Sequence, residues 1–580
     1  MSLLIRIILN TLTAAFIFSS SAFAEVDSRG KEFMFAFPQN YTGGNLKVFI
    51  TSEYDVKGTV SISSLNFFEE FSLEANKIIE ISLPRAVEIS SNNEIENKSI
   101  HIISDQEITV YGLNQQSATT DAFLALPTDS LGLEYHNMTY HGLGGFGYPS
   151  SMTVVAIYDN TEVVFVPSEP AVTVDEGERH AITLNSGESY KLDSSGAHDL
   201  TGTLLTASAP VAVMGSAKCT NIPIGVTACD HLIEMLPPVT TYGKSFITIP
   251  LATRRRGDLI RVIASEDDTQ VSIDGAVKSI LKKGEYYEEI IQVSSVIDAS
   301  SPVMVAQYSL GQRYDGVISD PFMMTVPPSE QFLTNYNFLT LTESVGFSNS
   351  FVNVVTTESA LDSLVLDGEV VDKSLFSRVG QSEFFGAQLS IPAGSHSISS
   401  HEPFGIYVYG FGNHDSYGYP GGMSFNFINP RGDTYTPNSR LELLGDFIIG
   451  YASDSEDLNA NNVLDLGEDI NGDLKIGRRI EDLNNNGLLD DGEDLNNNGV
   501  LDRDTGIFRV ELDSDAENIN LDVDSFVPGA LAVNFVVSKV DPSLSATGHI
   551  VISDGAGNKN RVPVNFINTP ALTGVTVTST

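Results

Sequence analysis

The stretch IISDQEITVYGLN, from Ile102 to Asn114, recurs in varied form three more times along this chain and indicates its fold. The other copies are LTASAPVAVMGS from Leu205, VIDASSPVMVAQYSLG from Val296 and ISSHEPFGIYVYGFG from Ile398. Each copy contains a polar turn, with Pro in three of the four, followed by alternating apolar residues and a closing Gly or Tyr. The polar turn starts a strand whose alternate side chains fill a core. A phrase that recurs in this way predicts a repeated structural unit.

An opening strand precedes each copy, at Leu46, Met152, Leu259 and Phe351. The copies are about a hundred residues apart, which is the size of one antiparallel β-sandwich. The segment 30–430 is rich in short alternating runs broken by Gly, Pro, Asn, Asp and Ser, and it lacks a helical period. We therefore predict an all-β chain with tandem antiparallel β-sandwich repeats near 30–118, 119–220, 221–315 and 316–430, within a region 25–430. Whether neighbouring sandwiches exchange strands stays open.

The N-terminus and the composition place the protein outside the cell. Arg6, the apolar run from Ile7 to Phe18 and the small-x-small motif ending at Ala24 predict a signal peptide over residues 1–24. A membrane anchor is the weaker alternative, because the run is shorter than the roughly 20 residues of a span, and no later segment predicts a membrane span. The chain has 32 basic and 75 acidic residues, a net charge of −43. Such a surface repels nucleic acid and attracts divalent cations.

Three phrases carry a resemblance to a known family. They are CDHLIEMLPPVTTYGKSF from Cys229, DPFMMTVPPSEQFLTNYNFLT from Asp320 and GSHSISSHEPFGIYVYGFGNHDSYGYPGG from Gly394. They resemble the N-terminal domain of the IgGFc-binding protein family, and a weaker likeness extends from about Gly30 to Gly422. The resemblance implies a secreted, extracellular or cell-surface protein with a non-enzymatic binding role and no catalytic residues. Its partner would be an extracellular glycoprotein, glycan or matrix component.

The only two cysteines are Cys219 and Cys229. An exported protein meets an oxidising compartment, so we predict a disulfide between them. The alternative is a zinc site that His231 and Glu234 would complete. The pair lies where the family pattern has cysteines, which favours the disulfide.

The segment 454–505 changes abruptly to Asp, Asn, Gly, Glu and Leu, and its spacing predicts a calcium-binding array. DLNNNGLLDDGE, from Asp482 to Glu493, places oxygen donors at loop positions 1, 3, 5, 9 and 12, with Gly at position 6 for a sharp turn. The segment 457–468 repeats this with Asn462 at the turn, and the segment 494–505 repeats it with Thr505 in place of the last Glu. Asp469 begins a fourth copy that lacks its later ligands. The predicted Ca²⁺ ligands are Asp457, Asn459, Asn461, Asp465, Glu468, Asp482, Asn484, Asn486, Asp490, Glu493, Asp494, Asn496, Asn498 and Asp502.

The array loops abut, which leaves no room for the helices that flank EF-hand loops. The array therefore resembles thrombospondin type 3 repeats, with little regular structure, and we expect calcium to stiffen it into a spacer between the long front region and the last domain. An acidic disordered linker is the alternative reading.

The remaining segments are a connecting segment over 431–453, an Ig-like β-sandwich over 506–568 that resembles bacterial surface modules, and a Thr-rich tail over 569–580. The loops GLGGFGYPSS from Gly142 and SYGYPGGM from Ser416 are candidates for ligand contact or simply tight corners. Two Arg-Gly-Asp tripeptides end at Asp258 and Asp433.

No nucleophile elbow, zinc-protease motif or phosphate loop occurs in the sequence. We expect a binding or adhesion protein presented on the calcium-stiffened spacer, and no enzyme. The alternative is a non-catalytic structural spacer or accessory region of an extracellular assembly.

Overall fold

The computed structural model describes residues 26–42, 44–318, 320–341, 346–429, 433–445, 447–465, 468, 475–479, 481 and 504–566. These residues form antiparallel strands joined by turns and short 3₁₀ segments, with a single α-helical turn, α1, at Gln312–Asp315. The all-β prediction is confirmed. The predicted signal peptide and the Thr-rich tail lie outside the described residues.

Four similar sheet units make up the front of the molecule. Unit 1 has β1 Gly30–Phe35, β2 Asn45–Thr51, β3 Val56–Ile62, β4 Phe67–Leu73, β5 Ile78–Leu83, β6 Ile95–Glu96, β7 Ile100–Gln116 and β8 Thr119–Leu124. Unit 2 has β9 Gly132–His136, β10 Ser150–Ala156, β11 Thr161–Val166, β12 His180–Leu184, β13 Ser189–Asp193, β14 Leu204–Thr220 and β15 Asp230–Met235. Unit 3 has β16 Gly243–Thr248, β17 Asp258–Ala264, β18 Thr269–Ile273, β19 Ala276–Leu281, β20 Tyr286–Ile291, β21 Ser295–Tyr308 and β22 Met323–Val326. Unit 4 has β23 Leu333–Thr340, β24 Phe347–Thr357, β25 Val365–Leu366, β26 Glu369–Val370, β27 Ser377–Arg378, β28 Phe384–Ile391, β29 Gly394–Gly412 and β30 Asp415–Pro420.

One long strand organises each unit: β7, β14, β21 or β29. In unit 1 the first half of β7 pairs with β1 and β3, and its second half pairs with β2 and β8. The long strand therefore belongs to both faces of the sandwich. The last short strand of each unit pairs with the long strand, so β8, β15 and β22 lie beyond the predicted boundaries at 118, 220 and 315. The short strand β6 is exchanged between units: it lies within unit 1 in the sequence but pairs with β13 of unit 2.

The polar phrase inside each long strand is a bulge, so our prediction that it is a turn that starts the strand was wrong. The pairing register jumps from residue 103 to 108, 206 to 211, 298 to 303 and 399 to 404, while the partner strand advances by two residues each time. Proline has no backbone N–H to donate, and Pro210, Pro302 and Pro403 all lie in these unpaired stretches. In units 2 and 4 the hydroxyls of Tyr135 and Tyr336 donate to the bulge carbonyls of Val211 and Phe404.

The four units close into a ring, which we define as residues 26–429. Three continuous apolar cores join unit 1 to units 2 and 4, unit 2 to unit 3, and unit 3 to unit 4. The strands β8, β15, β22 and β30 pack against one another in a cycle at the centre. The chain start fastens the closure, since the Ser28 N–H donates to the Met423 carbonyl (3.0 Å) and the Phe425 N–H to the Val26 carbonyl (2.7 Å).

Arg261 on β17 is fully buried between units 2 and 3. Its guanidinium donates to Asp199 (2.8 Å) and Glu288 (2.9 Å) and lies over the rings of Tyr140 (4.1 Å) and Tyr286 (4.4 Å). Burial alone would raise the pKa of Asp199, but the charges of Arg261 and His141 bring it below its ordinary value. A buried charge is tolerated only where it is paired and hydrogen-bonded, so this contact fixes unit 2 against unit 3.

The C-terminal sandwich has two sheets. One contains β31 Asn438–Leu444, β32 Phe447–Ser453, β35 Ala532–Lys539 and β34 Ile519–Val523, and the other contains β33 Ile507–Leu512, β36 Ala546–Asp554 and β37 Lys559–Phe566. The segment 431–453, predicted as a connection, instead supplies two strands, because β32 pairs with β35 along its full length. Residues 454–506, which we call the insertion, therefore leave from one strand of this sandwich and return to another.

Candidate functional sites

The first predicted calcium loop is folded around Asp457. The Asp457 carboxylate accepts the backbone N–H groups of Asn461 (3.0 Å) and Asn462 (2.7 Å). The Glu468 carboxylate returns across the loop to the N–H groups of Leu458 (3.1 Å) and Asp465 (2.8 Å). Asn462 has a φ of 59°, as a left-handed turn at loop position 6 requires. The carboxylates at positions 1 and 12 are thus held by one twelve-residue turn.

Asp465 lies between two asparagine amides in this loop. Asn459 and Asn461 donate their side-chain N–H groups to the same Asp465 oxygen, at 2.8 and 2.7 Å. These hydrogen bonds lower the pKa of Asp465. Rotation of each amide by a half-turn would exchange the positions of its oxygen and nitrogen. The two atoms are nearly isosteric, so the rotated amide fits the same space. The five predicted ligand side chains of this loop could therefore present oxygen atoms to one hard cation.

The predicted ligands of the second and third loops lie outside the described residues. They are Asp482, Asn484, Asn486, Asp490, Glu493, Asp494, Asn496, Asn498 and Asp502. Their coordination stays a prediction.

The two ends of the insertion meet at a buried acidic junction. Arg479 pairs with Asp454 (3.0 Å) and Asp504 (2.7 Å), and the Gly506 N–H donates to Asp454 (2.7 Å). Asp454 also lies beside Asp433 and Asp554, with carboxylate oxygens of the three within 4.8 Å of one another. Burial, and then the neighbouring carboxylates, raise the pKa of Asp454 to about 8. Arg479 and the neighbouring Arg478 thus face an excess of carboxyls.

The cysteine prediction is confirmed. Cys219 and Cys229 form a disulfide with a Cα–Cα distance of 5.2 Å. Both sulfurs are therefore used, and the zinc alternative has no thiolates. His231 is buried, its Nδ1 lies 3.0 Å from the Ala217 carbonyl, and burial lowers its pKa to about 4.

The two aromatic loops have different surroundings. Tyr417 and Tyr419 of the second loop are fully buried in the core between units 1 and 4, so this loop is a packed corner. In the first loop, Phe146 is 73% exposed and stacks on Tyr148 with 5.9 Å between ring centroids. Tyr41 of unit 1 meets Tyr148 edge-on at 5.2 Å. These three rings form an exposed aromatic rim at the boundary of units 1 and 2.

Beside this rim is a concave site that the sequence did not indicate, which we call the lysine recess. It has a volume of about 340 Å³ and is lined by Gln39, Ser90, Gly144, Gly147, Pro149, Val172, Lys191, Asp193, Ser194, Gly196 and Lys218. Its residues come from loops and strands that are distant in sequence, so only the relative position of units 1 and 2 creates it.

Both Arg-Gly-Asp aspartates are buried. Asp258 opens β17, and its carboxylate accepts the N–H of Leu251 (2.7 Å) and the side-chain amide of Gln307 (2.9 Å). Asp433 belongs to the acidic junction. Neither carboxylate faces solvent where an integrin could reach it.

Buried carboxyls also gather at the centre of the ring. Asp230, Asp320 and Asp415, from units 2, 3 and 4, interact electrostatically with one another. Burial raises the pKa of Asp320 to about 7, and burial together with Asp320 raises that of Asp415 to about 7. One oxygen of each carboxyl has no hydrogen-bond partner among the described residues. Desolvation, rather than pairing with cations, therefore determines the pKa values of these carboxyls.

These features define a class of protein, an all-β scaffold with exposed loops and recesses on a ring of four sheet units. The profile of a family described as IgGFc binding protein matches residues 121–410, which is half of the chain. The chain belongs to this family. The human IgGFc-binding protein is 25% identical over 398 residues, and the match covers 66% of this chain but only 7% of the human protein.

Solved structures add little. An α-L-rhamnosidase from Streptomyces avermitilis shares 7% identity over 72% of this chain and 59% of its own, with a TM-score of 0.09. An anti-sigma factor domain-containing protein from Clostridium clariflavum shares 10% identity over 64% of this chain and 99% of its own, with a TM-score of 0.08. Neither likeness carries an argument. Among the residues that the structure describes, no helix has the length and apolar character of a membrane span.

Proposed function

We propose that this chain is a secreted or cell-surface binding protein, without catalytic activity, whose C-terminal sandwich carries a calcium-binding insertion. Family membership supports the binding role, and the human relative is named for binding the Fc part of immunoglobulin G. The partner is an extracellular glycoprotein, glycan or matrix component. The ring offers a rigid frame from which loops contact it.

The observation that carries the calcium proposal is the Asp457 loop. Its acidic side chains at positions 1 and 12 are already held by backbone N–H groups, so little rearrangement is needed to bind a cation. Calcium would fold the insertion onto the sandwich that it leaves and re-enters. It would not hold the ring away from the last domain, because both ends of the insertion meet at Asp454 and Asp504.

Calorimetric titration of the mature chain with CaCl₂ tests this proposal. We expect binding with Kd of about 10⁻⁴ to 10⁻³ M, as in extracellular modules. Glu468→Gln should abolish the binding event of the first loop, and Asp482→Asn that of the second. Glu442→Gln, an exposed change on β31, is the matched control. An absence of heat, together with identical melting in EGTA, would contradict the calcium proposal.

Retention on immobilised mucin, glycans and immunoglobulin tests the binding role separately. A purely structural accessory region should retain none of them, whereas a binding protein should retain at least one in a saturable manner.

A further inference from the structure

We infer that the lysine recess is a binding site for a carboxylate-bearing sugar at the end of a glycan chain. This inference names a ligand class for the proposed binding function and rests on it. Three features support it: the charge of the recess, the aromatic rim, and the way in which the fold holds both in place.

The charge of the recess is opposite to that of the protein. The chain has a net charge of −43, yet this concavity contains Lys191 and Lys218 against a single carboxylate, Asp193. Lys191 is buried and bonds to Asp193 at 3.1 Å, so it is fixed in position. Lys218 is partly exposed and its ammonium donates to the neutral amide oxygen of Gln39 at 3.0 Å. Lys218 is therefore the cation that a ligand carboxylate can pair with.

The electrostatics of Lys218 are consistent with an anionic ligand. Burial, and then the charge of Lys191, lower the pKa of Lys218. An anion bound beside it would raise the pKa of Lys218 again, because an opposite charge at short range favours the ammonium form. The hydrogen bond to the ligand would be charge-assisted and so stronger than a neutral one.

The aromatic rim favours a sugar as the carrier of the carboxylate. Phe146 and Tyr148 are parallel, with 14° between their planes, and Lys218 Nζ lies 6.0 Å from the Tyr148 ring centroid. A sugar ring has an apolar face that packs on an aromatic plane, and its other edge is polar. The rim and the ammonium are near enough for one acidic monosaccharide to reach both. A polyanion such as nucleic acid is disfavoured by the net charge of −43 of the chain.

The fold holds the site rigid. Lys218 precedes Cys219, whose disulfide fixes the end of β14. In the opposite wall a side chain at Gly144 would meet the backbone of Gly196 at 2.4 Å, so the two loops touch directly. Preorganised groups bind with less entropic loss, which matters for a ligand as small as one sugar.

The test is calorimetric titration of the full mature chain with 3′-sialyllactose, which ends in a carboxylate-bearing sugar, and with lactose, which does not. We expect saturable binding of sialyllactose and a loss of at least about tenfold with lactose, because a charge-assisted contact is absent. Lys218→Gln should weaken sialyllactose binding by about tenfold and Phe146→Ala by about threefold. The matched controls, Lys77→Gln and Phe68→Ala, change an exposed lysine and an exposed ring elsewhere in unit 1 and should leave binding unchanged.

Equal affinity for the two sugars, or unchanged affinity in both recess variants, would overturn the inference, as would the absence of sialyllactose binding. Retention on immobilised mucin before and after sialidase treatment separates this failure from failure of the proposed function. If sialidase does not change retention, the binding role is supported and the acidic-sugar site in the recess is contradicted. If no glycoprotein is retained, both proposals are contradicted.

Discussion

Arg261 in the ring and Arg479 in the C-terminal sandwich are both buried, and their surroundings differ in kind. Arg261 in the ring faces Asp199 and Glu288 but is enclosed mainly by tyrosine rings. Arg479 lies over the single ring of Tyr435 and faces Asp454 and Asp504. The contact at Arg261 thus balances its buried charge with aromatic faces and two carboxylates. The junction holds more carboxyls than its arginines, Arg479 and the neighbouring Arg478, neutralise.

This difference predicts which region's stability should respond to cations and to pH. The contact at Arg261 contains its own counter-charges and lies beside continuous apolar cores, so its stability should depend little on cations. The junction combines desolvated like charges with the ends of the insertion, so cations and acid should stabilise it.

Removing the ring arginine should have the largest effect. Arg261→Ala leaves Asp199 buried without its cation, which costs about 3–5 kcal/mol. We expect a large fall in the melting temperature of the mature chain, with hydrogen exchange increasing in β14, β17 and β20. Arg261→Lys should lose less, because it keeps the charge but not the planar stacking on the tyrosines.

The exposed change Arg440→Ala serves as the control, since surface substitutions usually alter stability by less than about 0.5 kcal/mol. If Arg261→Ala is as stable as this control, the proposed difference between the two buried arginines is wrong.

Removing the junction arginine should cost less, about 2–3 kcal/mol, because some of its carboxyls can take up a proton instead. Burial raises the pKa of Asp554 to about 7 and that of Asp433 to about 6. Arg479→Ala should increase hydrogen exchange in β32 and β33 and leave the ring unchanged. The defect should be smaller at pH 5.5 than at pH 8, and a defect equal at both would contradict this account.

The smallest effect concerns pH and the centre of the ring. The folded-state pKa of Asp320, about 7, lies above the ordinary value of 3.8. Its stabilising contribution is therefore complete below about pH 4 and is lost as the pH rises through about 7. Asp320→Asn should stabilise the protein at pH 8 by on the order of 1 kcal/mol, since Asp230 and Asp415 share the repulsion.

The melting temperature of this variant should change less between pH 5 and pH 8 than that of the wild type. Asp362→Asn, an exposed change in unit 4, should keep the wild-type slope. Parallel slopes for all three proteins would mean that the central carboxyls do not titrate in this range.

The local pattern of the chain determined its strands, its repeat and its disulfide. Alternation such as IHIIS, from Ile100 to Ser104, produces a strand with one buried face, and a chain with two cysteines offers each of them one partner. The Asp457 loop was also predictable, since a twelve-residue turn depends on residues next to one another, such as Asn462 at its left-handed corner.

Only the tertiary structure decided what distant residues do together. The bulges around Pro210, Pro302 and Pro403 resembled turns because the partner strand that pairs on both sides of each bulge lies far away in sequence. The strands over 438–453 resembled a connection because their partner, β35, follows the insertion. Three sites depend on such proximity: the lysine recess, the acidic junction and the contact at Arg261. In each of them a hydrogen bond joins two residues at least 60 positions apart in the chain. Long-range proximity of this kind is a property of packed sheets, and no local pattern of side chains encodes it.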